Sequence, residues 1–360
     1  MKVCYILSYR SPSYIRTITI LQALSRIENV TVFKAINAFR GGFFRYAETL
    51  VKLLFIRLYE RPDCYILGFR GYELFWPVRL LTLGKPLIFD HMMSPYDSIM
   101  NEIRFCCKDG YCDKFIFAYE RSLLRHADLI LTDTTLHRDY FGKLFALPMD
   151  KIHAVPVSTD ESVFFKSPDK PSQAKTGSLF NILFYGSFLP LHGGDIILEA
   201  ARILSDKPVR FTLIGGEGKR LTHFIETKNR LNLNNVKHET WVEYERLPEW
   251  IDRADLCLGG PFGNTGQARR VVTGKTFQFL AMSKPTVVGK IPADYGFIDK
   301  ENALVVNQGS GQALAEAILW ALENREKLPA IGRRGKALYE SRFSIDRVKE
   351  AFQHILGIQS

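Results

Sequence analysis

The chain of 360 residues has no long hydrophobic run. No segment approaches the roughly 18 uncharged apolar residues of a spanning helix. The nearest stretch, LVKLLFIRLY, is cut by Lys52 and Arg57. The apolar core of MKVCYILSYRS is too short for a signal peptide, so a cytoplasmic location is expected. Cysteine is scarce, and six residues in this length do not make a disulfide scaffold. Negative charge is also in deficit. Asp and Glu number 38 against 48 Lys and Arg, a net charge of +10, which favours an anionic partner.

Two motifs are missing as well. GEGKRL and GSGQAL each begin like a dinucleotide fingerprint, but Leu221 and Leu314 stand where the third glycine belongs. No acidic residue ends a strand about 20 residues later, so a nicotinamide dehydrogenase is disfavoured. An Asp-x-Asp metal motif is absent from any suitable context. Stacking motifs and recognition helices for nucleic acid are not found either, and no nucleic-acid partner is expected.

What is present is a rhythm. KVCYILS, VTVFKA, DCYILGF, PLIFD, DLILT and KIHAVPV read as strands, with helix-like periodic segments between them. Residues 158–178 are polar and rich in Pro, Ser and Lys, and read as a linker. The rhythm then restarts with FNILFYG, VRFTLIG, VKHETWV, ADLCLGG, PTVVG and NALVV. Alternation of this kind predicts parallel sheets covered on both faces, in two α/β halves. The expected domains are 1–160 and 178–342, with a final helix over about 343–360 crossing back onto the first. Ligands of open parallel sheets bind at the carboxyl ends of the strands, so a cleft between the halves is the expected site.

The stretch FYGSFLPLHGGDIILEA raises the first chemical question. Gly186 ends a strand, and Gly193 and Gly194 precede a helix. Bare backbone there lets a phosphate reach amides and a helix N-terminus. A plain turn capped by Asp195 is the alternative. A second glycine turn, LIGGEGKR, contributes Gly216 and Gly218, with Lys219 and Arg220 behind them. Further on, Arg270 and Lys275 flank a helix start and suit a diphosphate clamp. Gln278 lies three residues after Lys275, so the two share a helix face, and its amide suits ribose hydroxyls. Trp241 reads either as a base contact or as a buried strand residue. In the first half, Asp90 and His91 end a strand.

Taken together these stretches resemble the nucleotide-sugar-binding half of the family-four (group 1) retaining glycosyltransferases. Their pattern runs strand, Gly-Arg, four residues, Lys-Gly, helix, and Gly186 and Gly193 match its spacing. GEGKR resembles the family's Gly-Asp-Gly turn, and FQFLAMSKPTVVG resembles its Glu-Ala-Met helix and following strand. The resemblance implies the GT-B fold: two Rossmann-like parallel-sheet domains facing each other across a cleft. It implies transfer of a sugar from a nucleotide-sugar to a glycan or lipid-linked acceptor, with retention and without a metal or other cofactor. Four positions depart from the pattern. The family's arginine is Ser187, its lysine is His192, its ribose-binding glutamate is Gln278, and the upstream glutamate is Arg270. These changes read as a different layout of charge. A nucleotide-sugar epimerase of the same fold and a non-catalytic binding protein are the competing readings.

The implied roles are as follows. Gly186, Ser187, His192, Gly193, Gly216, Gly218, Arg270, Lys275 and Gln278 bind the donor. His91 contacts the donor sugar, and Asp90 orients it or accepts a proton. FRGGFFRYAETLVKLLFIRLYER mixes cations with Phe and Leu. As a helix over about 43–58 it suits an anionic membrane surface, peripheral on the inner face, or an ordinary packed position. FCCKDGYC, with Cys106, Cys107 and Cys112, resembles a metal site superficially, but its fourth ligand is not obvious.

Overall fold

The computed structural model describes residues 1–103, 110–164 and 179–358. The chain divides into two compact units, Met1–Ser158 with Ile345–Ser360, and Thr159–Ser344.

In the first unit the strands are β1 (Lys2–Leu7), β2 (Thr31–Ile36), β3 (Cys64–Leu67), β4 (Leu87–Asp90), β5 (Leu129–Thr132) and β6 (Ile152–Ala154). All pair in parallel, in the order β2-β1-β3-β4-β5-β6. The helices are α1 (Ile15–Ser25), α2 (Gly42–Tyr59), α3 (Phe75–Leu81), the single turn α4 (Pro95–Asp97), α5 (Tyr111–His126) and α6 (Thr135–Phe145). The central strands are buried on both faces, which is why CYIL and LIFD read as unbroken apolar runs. One face packs on Leu53 of α2, Phe75 and Val78 of α3, Leu123 and Leu124 of α5, and Phe141 and Phe145 of α6. The other face packs on Ile20, Ala23 and Leu24 of α1.

In the second unit the strands are β7 (Phe180–Gly186), β8 (Val209–Gly215), β9 (Val236–Glu239), β10 (Leu256–Gly260), β11 (Thr286–Gly289) and β12 (Leu304–Val306). They too are parallel, in the order β12-β11-β10-β7-β8-β9. Its helices are α7 (Gly194–Ile203), α8 (Gly218–Arg230), α9 (Leu247–Arg253), α10 (Gly274–Ala281), α11 (Gly311–Glu323) and α12 (Leu328–Arg342). The last helix, α13 (Ile345–Ile355), belongs to the first unit. Its Ile345, Val348 and Phe352 join the α1 side of that core, and Arg26 of α1 pairs with Asp346 at 3.0 Å. A fully buried side chain of this size contributes about 1.5–3 kcal/mol, so α13 is held by apolar packing more than by its exposed ion pair.

Both sheets reverse direction once. In the first sheet the reversal lies between β1 and β3, and in the second between β7 and β10. Loops at such a point diverge to opposite sides and leave room for a ligand at the strands' carboxyl ends.

Candidate functional site

The loops after β7 and β10 flank the reversal in the second sheet and carry Ser187, His192, Gly193 and Arg270, while Lys275 and Gln278 lie on α10, and Gly216 and Gly218 follow β8. Gly193 has φ +70, and a side chain there would meet the backbone of Phe262 and Gly263 at 2.7 Å. Only glycine lets the two loops lock, which they do through Gly263 N–H donating to Leu191 O at 3.0 Å. Helix α7 starts directly after Gly193 with no side-chain cap. Asp195 does not cap it. The Asp195 carboxylate instead lies 3.4 Å from His223 on the surface. The first amides of α7 are therefore not satisfied by a side-chain cap.

Gly186, His192 and Lys275 come together. A methyl group on Gly186 would sit 3.2 Å from the His192 ring and 3.4 Å from Lys275 Cε. The ammonium of Lys275 lies 4.8 Å from the centre of the Phe184 ring, and the His192 ring meets the same phenylalanine edge-on at 6.1 Å. Lys275 is buried, with no hydrogen bond or ion pair among the described residues. It also sits in the first turn of α10, where the helix dipole repels a cation. Burial lowers its pKa to about 7. His192 is held well below the usual histidine range, first by burial and then by Lys275 and Arg220. It is therefore neutral at neutral pH and serves as a hydrogen-bonding group, not as the cation that the sequence left open. Its Nδ1 is buried without a partner. Arg220, on the first turn of α8, is thus a third basic group near this point. Ser187 sits half-buried beside Gly186.

The other expected donor residues are placed differently. The Arg270 guanidinium lies along Gly266 in the loop after β10, with Nη1 3.3 Å from where a Gly266 side chain would begin. Gln278 is buried, and its Oε1 accepts a hydrogen bond from Tyr185 at 2.6 Å, so its carbonyl is not open to a ribose. Gly216 has a packing reason. Its bare α-carbon admits the Phe188 ring, which a methyl would meet at 2.3 Å, and Phe188 stacks on Phe224 at 4.4 Å. Gly218 faces open space. Trp241 lies beyond the end of β9 and is 78% exposed, so it is not a buried strand residue.

In the first unit the expected catalytic pair is occupied. Asp90 is fully buried, and its carboxylate accepts from Arg16 Nε at 3.1 Å and Nη2 at 3.0 Å. Arg16 also donates to the carbonyls of Val155 at 2.6 Å and Pro156 at 3.1 Å. Asp90 therefore neither orients His91 nor stands ready to take a proton. His91 is fully buried, and its partner is Glu120 Oε1, 2.7 Å from Nε2. Glu120 Oε2 accepts from the backbone of Tyr96 at 2.7 Å, which ties the loop after β4 to α5. The rings of Tyr72, Phe89 and Phe141 enclose the imidazole. His91 thus has no exposed surface with which to touch a sugar. The reversal in this sheet is lined by aromatic rings that the sequence reading did not select. Tyr14 stacks on Phe69 at 4.6 Å, and Tyr9 meets Phe69 edge-on at 5.4 Å.

Among the described residues no cluster of three or more His, Cys, Asp or Glu could hold a metal. Of the cysteine cluster, Cys106 and Cys107 lie outside the described residues, and Cys112 is disulfide-bonded.

Comparison with known proteins shows what the second unit is similar to. Residues 180–324 match the family model described as glycosyl transferases group 1. This region is thus similar to a group 1 glycosyltransferase domain. It contains the whole run from Gly186 to Gln278. The chain is 26% identical over 152 residues to a D-inositol 3-phosphate glycosyltransferase of Xylanimonas cellulosilytica. It is 26% identical over 238 residues to an uncharacterized glycosyltransferase of Methanocaldococcus jannaschii. These matches cover 38% and 62% of the chain, and 36% and 64% of the two relatives' lengths. The fold is GT-B. HepE of Anabaena, solved in complex with UDP, superposes with a TM-score of 0.72 at 15% identity, covering 99% of this chain and 100% of that one. Sucrose-phosphate synthase of Thermosynechococcus elongatus gives 0.72 at 13% identity, covering 99% and 98%.

Proposed function

We propose that the chain is a glycosyltransferase whose glycosyltransferase domain holds the diphosphate of a nucleotide-sugar between the loop after β7 and the start of α10. The observation that carries this reading is Lys275: a buried lysine at a helix N-terminus, with no carboxylate paired to it among the described residues, against a glycine turn. Burying an unpaired cation is costly, and a ligand anion removes the cost. Cleavage of a nucleotide-sugar puts negative charge on the departing diphosphate, and fixed cations and amides stabilise that charge. Lys275 and the open amides of α7 supply them here. His192 Nδ1 and the Ser187 hydroxyl add hydrogen bonds, and Arg220 and Arg270 add positive field. With the charge handled by side chains, the reaction proceeds without a metal. It is proposed to retain configuration.

The HepE complexes with UDP and with UDP-glucose support a nucleotide-sugar as donor. The acceptor is proposed to be a glycan or a lipid-linked sugar, met at the aromatic cluster of Tyr9, Tyr14 and Phe69, since flat rings suit sugar faces. An anionic membrane surface is the proposed place of encounter for a lipid-linked acceptor, and a cytoplasmic, peripheral location follows. His91 and Asp90 act as positioning residues that pin the loop following β4.

The test is thermal stabilisation by a panel of UDP-, GDP- and ADP-sugars, followed by turnover of the stabilising donor with and without glycan acceptors. Stabilisation by one nucleotide class and acceptor-dependent turnover support the reading. Conversion of the donor alone would point to an epimerase, and no stabilisation by any donor would remove the diphosphate seat. Proton NMR of the product reports its configuration.

A further inference from the structure

Helix α2 is turned inside out relative to an ordinary surface helix. At 100° per residue, Phe44, Val51, Leu54, Phe55, Leu58 and Tyr59 fall within an arc of roughly 140°. Every one of them is exposed, Phe44 by 73% and Leu58 by 58%. The buried residues, Thr49 and Leu53, lie on the opposite side. Glu48 is the one charged residue within the arc. Its carboxylate is turned onto Lys52 at 2.7 Å and onto the amides of Ala38 and Phe39, away from the apolar stripe. The stripe continues sideways. Arg57 donates to Leu83 O just past α3, and Leu80 and Leu83 are exposed there. Beyond α3, the outward positions of α5 are Tyr111, Phe115 and Tyr119, at a spacing of four. Helices α2, α3 and α5 cover the same face of the first sheet, and the Trp76 ring of α3 touches His126 of α5 at 4.9 Å.

A monomer rarely shows this much contiguous apolar surface without a partner. Three features choose the partner. The exposed side chains are mostly aromatic rings and leucines, which favour the bilayer interface. Between residues 40 and 61 five cations stand against two carboxylates. Both carboxylates are already paired, Glu48 with Lys52 and Glu60 with Lys2. Finally, no described helix is long and apolar enough to cross a membrane.

We infer that the outer stripe of α2, extended by the end of α3, inserts flat into the interface of an anionic lipid bilayer, with Arg40, Arg45 and Arg61 reaching the headgroups. Insertion is led by the apolar side chains, and the cations select the lipid. This deepens the membrane element of the proposed function, and it is tested without any sugar transfer, so that either can fail alone.

The experiment is flotation of the full chain with vesicles of phosphatidylcholine containing phosphatidylglycerol, and with vesicles of phosphatidylcholine alone. The wild type is expected to float with the anionic vesicles and only weakly with the neutral ones. The triple variant Leu54→Ser, Phe55→Ser, Leu58→Ser is expected to lose at least about tenfold in partitioning. Its thermal midpoint should be unchanged, because the replaced side chains are exposed. Arg40→Glu with Arg45→Glu should bring binding down to the neutral-vesicle level, as added salt does. The inference is overturned if the wild type stays at the bottom of the gradient, or if the triple variant floats as well as the wild type. It is equally overturned if sedimentation shows a dimer that the triple variant abolishes, because the stripe would then be a contact between copies.

Discussion

In the first unit the buried polar groups close on one another: Arg16 on Asp90, His91 on Glu120, and His137 on Asp133 at 2.6 Å. In the second unit, at the corresponding end of its sheet, Lys275 lies buried beside a neutral histidine and glycine backbone, with no carboxylate paired to it among the described residues. Both arrangements sit at the carboxyl ends of a parallel sheet. The paired groups hold their own elements together, whereas the lysine is proposed to await an anion. On the proposed reading the difference separates residues that serve stability from one that serves binding, although Asp90 and His91 were chemically plausible catalytic groups from the sequence.

The comparison can be broken most forcefully at the closed end. Asp90→Asn leaves the buried Arg16 uncompensated, and is expected to cost about 3–5 kcal/mol of unfolding free energy. Chemical denaturation measures it, and a change below about 1 kcal/mol would show the pair to be dispensable. At the open end the signs are opposite. Lys275→Met should lower donor turnover at least roughly tenfold, the effect of about 1.4 kcal/mol of transition-state stabilisation. The same variant should raise the thermal midpoint of the empty protein, because it removes a buried, unpaired cation. The pH sign follows from the depressed pKa. Between about 7 in the folded chain and 10.5 in the unfolded one, the unfolded state binds more protons at this group. The stability of the empty protein therefore rises across that window, and the gain from Lys275→Met is largest at its lower end.

Smaller effects sharpen the picture. Gly193→Ala combines a positive φ with a backbone collision, and should cost about 1–3 kcal/mol while weakening donor binding. His192→Ala removes one hydrogen-bonding ring nitrogen and should weaken donor binding by about 1 kcal/mol, a factor of roughly five. Calorimetry with the stabilising nucleotide-sugar distinguishes the two, since only the glycine variant should also shift the thermal midpoint strongly.

The parallel α/β architecture was legible because strands buried on both faces and amphipathic helices leave strong local periods. All twelve strand segments read from the sequence appear. Helix α3 was missed, because FWPVRLL is too short to set a period. The meeting of Gly186, His192 and Lys275 was anticipated from the family resemblance, not from any local pattern. What stayed hidden were partnerships across long separations. Arg16 lies 74 residues from Asp90, and Glu120 lies 29 from His91. Nothing in a local pattern announces such pairs, so a carboxylate locked by arginine reads in sequence like a free base. Gln278 was misplaced for the same reason, since Tyr185 is 93 residues away.

The central claim is that Lys275 is held ready for the diphosphate of the donor. The most direct test is the pH dependence of nucleotide-sugar affinity, measured by calorimetry on the wild type and on Lys275→Met. The diphosphate of a nucleotide-sugar does not titrate near neutrality, so the slope reports the protein. A bound anion raises the lysine's pKa, and affinity in the wild type should therefore fall as pH climbs above about 7, by up to about tenfold per unit. The variant should bind weakly, with a flat profile. Tight binding by the variant, or the same profile in both proteins, would contradict the account.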